Sequence, residues 1–136
     1  MGQAVAGPGF RFTAPDGWKV THTQNGVTAA DGGSLVEVST FPLARPYSDT
    51  LFAAVEKELK ARMDTLVQDG GGTLSPGKPV TVAGIRSHSY RIASDGMVDD
   101  YVFVLRGKRE YQLLCRRKAS DSDDHCRLLL TSFRTA

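Results

Sequence analysis

Two kinds of apolar spacing alternate along the chain, a period of two and a period of about 3.6, and they predict strands, a helix, strands and a second helix. Phe10 and Phe12 alternate with Arg11 and Thr13, then meet Ala14-Pro15-Asp16-Gly17. There the proline presets φ and the glycine closes a type I turn. Trp18 and Val20 open a second strand, and Asn25-Gly26 marks a hairpin turn. Residues 27–30 predict a short third strand. Asp31-Gly32-Gly33 turns into a fourth, in which Val36 and Val38 alternate with Glu37 and Ser39. Pro42 and Pro46 end this section of sheet.

Helical spacing follows. Ser48 is placed to cap, Asp49 suits a first turn, and Leu51, Phe52, Val55, Leu59, Met63, Leu66 and Val67 form one apolar stripe. Glu56–Lys60 and Glu58–Arg62 are expected as i,i+4 pairs on the outer side, and Gly70-Gly71-Gly72 stops the helix. Strands return at 80–82 and 85–92, interrupted at Gly84, and Ser94-Asp95-Gly96 turns into 97–105. That last run is apolar on both faces, with Tyr101, Phe103 and Leu105 set against Val102 and Val104, as a central strand covered from both sides would be. Arg106-Gly107-Lys108 turns into a strand ending at Cys115, Ser120 or Ser122 caps a final helix, and Ser132-Phe133-Arg134 closes the chain. The predicted class is α+β: a central, mainly antiparallel sheet of about six or seven strands flanked by helices. It forms one domain over residues 10–136, behind a flexible lead-in over 1–9.

A chain of 136 residues buries roughly 65–70% of its unfolded surface, so a core forms without a metal or cofactor. Seventeen basic residues against fifteen acidic leave a net charge of +2, too balanced to point to nucleic acid as a partner. No apolar run reaches the ~18 residues of a spanning helix, so no transmembrane segment is expected. The stretch from Met1 to Gly9 has neither a basic leader nor an apolar core, and Ala6 stands where myristoylation needs Ser or Thr. It fits a chain from which an export leader has been removed.

The two cysteines change the picture most. Cys115 ends a strand, and Cys126 falls in the first turn of the last helix, on the face it shares with Leu129, Leu130 and Phe133. A helix folding back on the preceding strand brings both to one seam, across ten intervening residues. A disulfide there is favoured over two buried thiols, and it implies an oxidising compartment. Two thiols with no supporting His/Cys pattern do not make a metal site.

The search for other chemistry yields little. His22, His88 and His125 lie in different elements, and His88 is in phase with Arg86, Tyr90 and Ile92 on a sheet face. There is no nucleophile-elbow motif, so a hydrolase using His88 or His22 would need a triad dispersed through the sequence. Asp121-Ser122-Asp123-Asp124 lacks the glycine and distal Glu of a calcium loop and suits a helix start. Asp99 and Asp100 point to opposite faces of a strand, and a cross-strand Arg is the expected partner. The basic clusters Arg106, Lys108, Arg109 and Arg116, Arg117, Lys118 lie about 23 Å apart along one strand and read as two small solvated patches.

With the elements in order, the chain resembles the PsbP-like α/β/α sandwich family, and within it the small secreted or lipid-anchored actinobacterial proteins of the LpqN type. The likeness rests on Phe10-x-Phe12-x-x-Pro15-x-Gly17-Trp18, on Tyr111-Gln112-Leu113-x-Cys115, and on Cys126 followed by Ser132-Phe133-Arg134. The resemblance implies a non-catalytic role. With the cysteine pair and the lack of a reactive constellation, the expectation is an extracytoplasmic binding or accessory domain acting on an unidentified protein or cell-envelope component, and a monomer or weak dimer. A cytoplasmic chaperone or adaptor for a secreted client is the alternative. A partner groove is expected between the long helix and the sheet, near Trp18, His88, Tyr90 and Tyr101.

Overall fold

The computed structural model describes residues 2–136. In chain order its strands are β1 (Gly2–Gly7), β2 (Phe10–Pro15), β3 (Lys19–His22), β4 (Gly26–Asp31) and β5 (Ser34–Pro42). After a 3-10 turn over Asp49–Leu51 and helix α1 (Phe52–Gly70) come β6 (Thr73–Leu74), β7 (Lys78–Val82), β8 (Ile85–Ser94), β9 (Met97–Arg106) and β10 (Arg109–Lys118). Helix α2 (Asp124–Ser132) and β11 (Arg134–Thr135) complete the fold. The main sheet has the order β3-β4-β5-β10-β9-β8-β6, with β7 also on β8, and β1-β2-β11 form a small second sheet. All pairings are antiparallel.

The doubly apolar run lies where its pattern requires. β9 sits between β8 and β10 with Val102, Phe103, Val104 and Leu105 all buried. On one face, Val36, Val38, Val102, Val104 and Leu113 meet Phe10 and Phe12 of the small sheet and Leu129 and Phe133 of the last segment. On the other, Leu59 and Met63 of α1 pack on Tyr90, Ile92, Phe103 and Leu105. Beyond α1 that second face turns polar: Thr28 donates to Glu37 at 3.1 Å, and Ser39 lies opposite Gln112. The α+β sandwich is therefore covered unevenly.

Four expectations are corrected. The main sheet has eight strands rather than six or seven; two-residue strands such as β6 carry no readable period. The lead-in is not loose, because Gly2 to Gly7 pair residue for residue with β2. Only Val5 is buried in that stretch, so the backbone ladder rather than an apolar face holds it. On α1, Lys60 pairs with Asp64 at 2.8 Å, and Arg62 crosses to Glu110 at 2.8 Å instead of pairing along the helix. Ser48 precedes the helical turn, but its hydroxyl meets that of Thr50 and caps no backbone N–H. At the far end Gly71, with φ of 81°, lets the chain leave α1 while its N–H bonds Val67 O.

The start of α1 is clamped by a stack. The Phe52 ring lies 3.9 Å from His88 and the Arg86 guanidinium lies 3.8 Å over the Phe52 ring. His88 is buried, its Nε2 without a partner. Burial pulls its pKa below the ordinary 6.5, against the attraction of Glu56. The unfolded chain therefore takes up this proton at higher pH than the folded chain does. The stability tied to His88 is complete above about pH 6.5 and is lost as pH falls through the folded value. Urea unfolding at stepped pH should show stability declining below that point, with His88→Phe flattening the decline. An unchanged slope in the variant would show that other groups are responsible.

Cys115 and Cys126 are joined, with their Cα atoms 5.5 Å apart. The bond ties the first turn of α2 to the end of β10 and closes a short loop. Replacing both cysteines by Ala should lower the unfolding free energy by roughly 2–3 kcal/mol. Urea titration is the check, and a loss below about 0.5 kcal/mol would count the tether as inessential.

Candidate functional site

β8 presents unequal faces. Toward α1 it carries His88, Tyr90 and Ile92, all buried; toward α2 it carries Ser87, Ser89 and Arg91. The small Ser89 leaves space beside α2, which is tied at its first turn to β10 rather than to β8. The result is a cleft of about 420 Å³ between α2 and the strands β7, β8 and β9. That is within the size range of small-ligand sites. Its apolar lining comes from Val80, Val102, Leu113, Leu129, Leu130 and the disulfide.

The polar lining is charged and largely self-paired. Arg91 donates to both oxygens of Asp100, at 2.7 and 3.2 Å, across the β8–β9 ladder. Those hydrogen bonds raise the Arg91 pKa further above its ordinary range. Arg127 lies 3.4 Å from Asp123 and also pairs with Asp124. Lys78, at the start of β7, also lines the cleft, and no carboxylate pairs with it among the described residues. The cleft thus joins an apolar interior to a polar lining with one unpaired cation.

The four residues expected to mark a groove are divided between the two faces. His88, Tyr90 and Tyr101 lie on the α1 side, where Tyr90 donates to Glu56 O at 3.3 Å and Tyr101 stacks on Phe103 at 6.3 Å. Trp18 packs against the core on the α2 side, its ring 5.1 Å from that of His125. Tyr90 alone of the four also borders the cleft. His125 shares a hydrogen bond with Arg116 O at 3.1 Å and lies beside the two bonded sulfurs. While those sulfurs are joined they offer no thiolate to a metal. His22 is exposed at the end of β3. Both aspartates found a cross-strand Arg, Asp99 pairing with Arg116 at 2.8 Å on the α1 side. Lys78, Arg91 and Arg127 of the cleft were not singled out from the sequence, and Leu130 was named only for the apolar face of the last helix. The available signal was Ser89 in β8, a small polar residue opposite the apolar Val102 of β9.

No family model and no curated protein matches the chain. Among solved structures, the chain is similar to cyanobacterial PsbP (CyanoP) from Synechocystis sp. PCC 6803. The TM-score is 0.70 at 14% identity, over 98% of this chain and 92% of that one. It is also similar to a protein from Bacteroides thetaiotaomicron VPI-5482, with a TM-score of 0.65 at 10% identity. That match covers 99% of this chain but 48% of the other, so the chain spans about half of that protein's length. What the chain shares with both is the fold, a PsbP-like α+β sandwich.

Proposed function

We propose that the domain is a non-catalytic binding or accessory module working outside the reducing cytoplasm, and that the cleft beside α2 seats an apolar group of its partner. The cleft carries this reading: its apolar lining sits within a fold whose other apolar side chains are mostly packed. Lys78 favours a partner group that bears an anion next to its apolar body. The disulfide supports the compartment, and no helix among the described residues is long and apolar enough to cross a membrane. The motif likeness to LpqN-type secreted or lipid-anchored proteins points the same way. So does the setting of the histidines. His88 is sealed under Phe52 and His125 meets a backbone carbonyl. Among the described residues no Ser, Cys or Asp side chain hydrogen-bonds to any of the three.

Octanoate is a suitable probe, with octanol and octylamine as its uncharged and cationic counterparts. Methyl NMR should show millimolar octanoate shifting Val102, Leu113 and Leu130, and octylamine binding several-fold more weakly. Leu130→Trp, which fills the cleft, should abolish the shifts, and Lys78→Gln should bring octanoate down to octanol. Shifts scattered over the α1 side, or none, would remove the cleft from consideration. Thiol titration of unreduced protein should find no reactive thiol; two would overturn the compartment.

A further inference from the structure

The near-neutral net charge conceals two poles. Four segments separate in sequence meet at one end of the molecule: the β1–β2 turn, the loop after β5, the β9–β10 turn and β11. Leu43 and Tyr47 donate backbone N–H bonds to Lys108 O and Gly107 O, at 2.8 and 2.7 Å. Arg106 donates to Thr135 at 3.0 Å, and Ala136 N–H bonds Gly9 O at 2.8 Å. This end carries Arg11, Arg45, Arg106, Lys108, Arg109 and Arg134, all exposed. None joins an ion pair among the described residues. Nearby, Glu110 is taken by Arg62, and Asp49 lies at the start of the helical turn.

Two arginine pairs are held face to face, Arg106 opposite Arg109 and Arg11 opposite Arg134. Like charges directly opposite on neighbouring strands destabilise a sheet. Meanwhile the turns at the other end carry Asp16, Asp31, Asp95 and Asp121. Such a dipole orients the molecule basic end first toward a negative surface. Of three large hydrophobic side chains exposed among the described residues, Phe41 lies in register with Glu110 beside this end, and Leu51 ends the 3-10 turn that follows the loop after β5. The second basic cluster of the sequence lies at the opposite end: Arg116 is held by Asp99, and Arg117 and Lys118 sit beside the turns that carry the aspartates.

We infer that this end docks on an anionic phospholipid surface, the cations meeting headgroups and Phe41 entering the interface. An exposed aromatic beside clustered cations fits a membrane boundary better than a nucleic-acid backbone, which charge alone would satisfy. The inference goes beyond the cleft and does not depend on it.

Sedimentation of the full chain with phosphatidylcholine vesicles containing phosphatidylglycerol is the test. The chain should pellet with these vesicles at low salt, less as salt rises, and not with phosphatidylcholine alone. Arg45→Gln and Lys108→Gln, whose side chains make no hydrogen bond among the described residues, should each weaken binding about five-fold. The triple change Arg106→Gln, Lys108→Gln, Arg109→Gln should weaken it about a hundred-fold. Lys19→Gln, Lys57→Gln and Lys118→Gln together change net charge equally and should leave binding intact. Phe41→Ser should weaken vesicle binding without altering retention on a DNA duplex. Failure to pellet at low salt, or equal damage from the control triple, would overturn the inference. A Phe41→Ser variant that binds vesicles normally, with the basic variants losing duplex and vesicle alike, would assign the end to nucleic acid instead.

Discussion

The bond between Cys115 and Cys126 determines where α2 can lie, and the cleft beside the helix follows. A helix of nine residues is marginal by itself. This one is held by the covalent tie at its first turn and by Leu129 and Phe133, which are fully enclosed. Because Cys115 is on β10, in the middle of the sheet, the tie draws α2 toward β10 and β2 and away from β8. The strip of sheet left beside the helix is the cleft. The position of the disulfide is thus a reason for the space as well as a source of stability.

How much of this was legible follows from what each signal encodes. The doubly apolar run of β9 announced a strand covered on both sides because every side chain there must leave water. The stripe on α1 announced a helix because Phe52, Leu59 and Met63 must leave water, although Leu51 and Leu66 of the same stripe stay exposed. Cys115 and Cys126 could be paired because a strand-loop-helix return constrains two positions near in sequence. Burial patterns say nothing of elements held mainly by backbone hydrogen bonds, so β1, with one buried side chain, passed for a loose lead-in. Nor do they say which aromatic faces which layer. Trp18 and Tyr101 share a character but pack into the cores on opposite sides of the sheet, and only the folded layers decide that. A cleft is harder still to read, because it is the absence of side chains where two elements diverge.

Charge shows the same limit. Summed over the sequence it nearly cancels, and the Arg106–Arg109 cluster taken alone is ordinary. Folding adds Arg11, Arg45 and Arg134 from remote segments and withdraws Arg116 into an ion pair, so one patch is enlarged and the other reduced. Antiparallel hairpins make this possible, since alternate turns fall at the same end of the sheet. A chain that places aspartates in one set of turns and cations in the other builds a dipole without any unusual composition.

The two proposed surfaces also fit one another spatially. Along β9, Arg106 belongs to the basic end and Asp100 to the cleft, six residues or about 20 Å away. A molecule resting on a negative surface by its basic end therefore keeps the cleft in its outer half, open to a partner. The fold shared with CyanoP at 14% identity specifies neither surface. Its layers need only apolar residues in phase, whereas Ser89 of β8, the tether of α2 and the residues of each turn are free to vary. What this chain binds is therefore to be sought in those variable positions rather than in the sandwich that carries them.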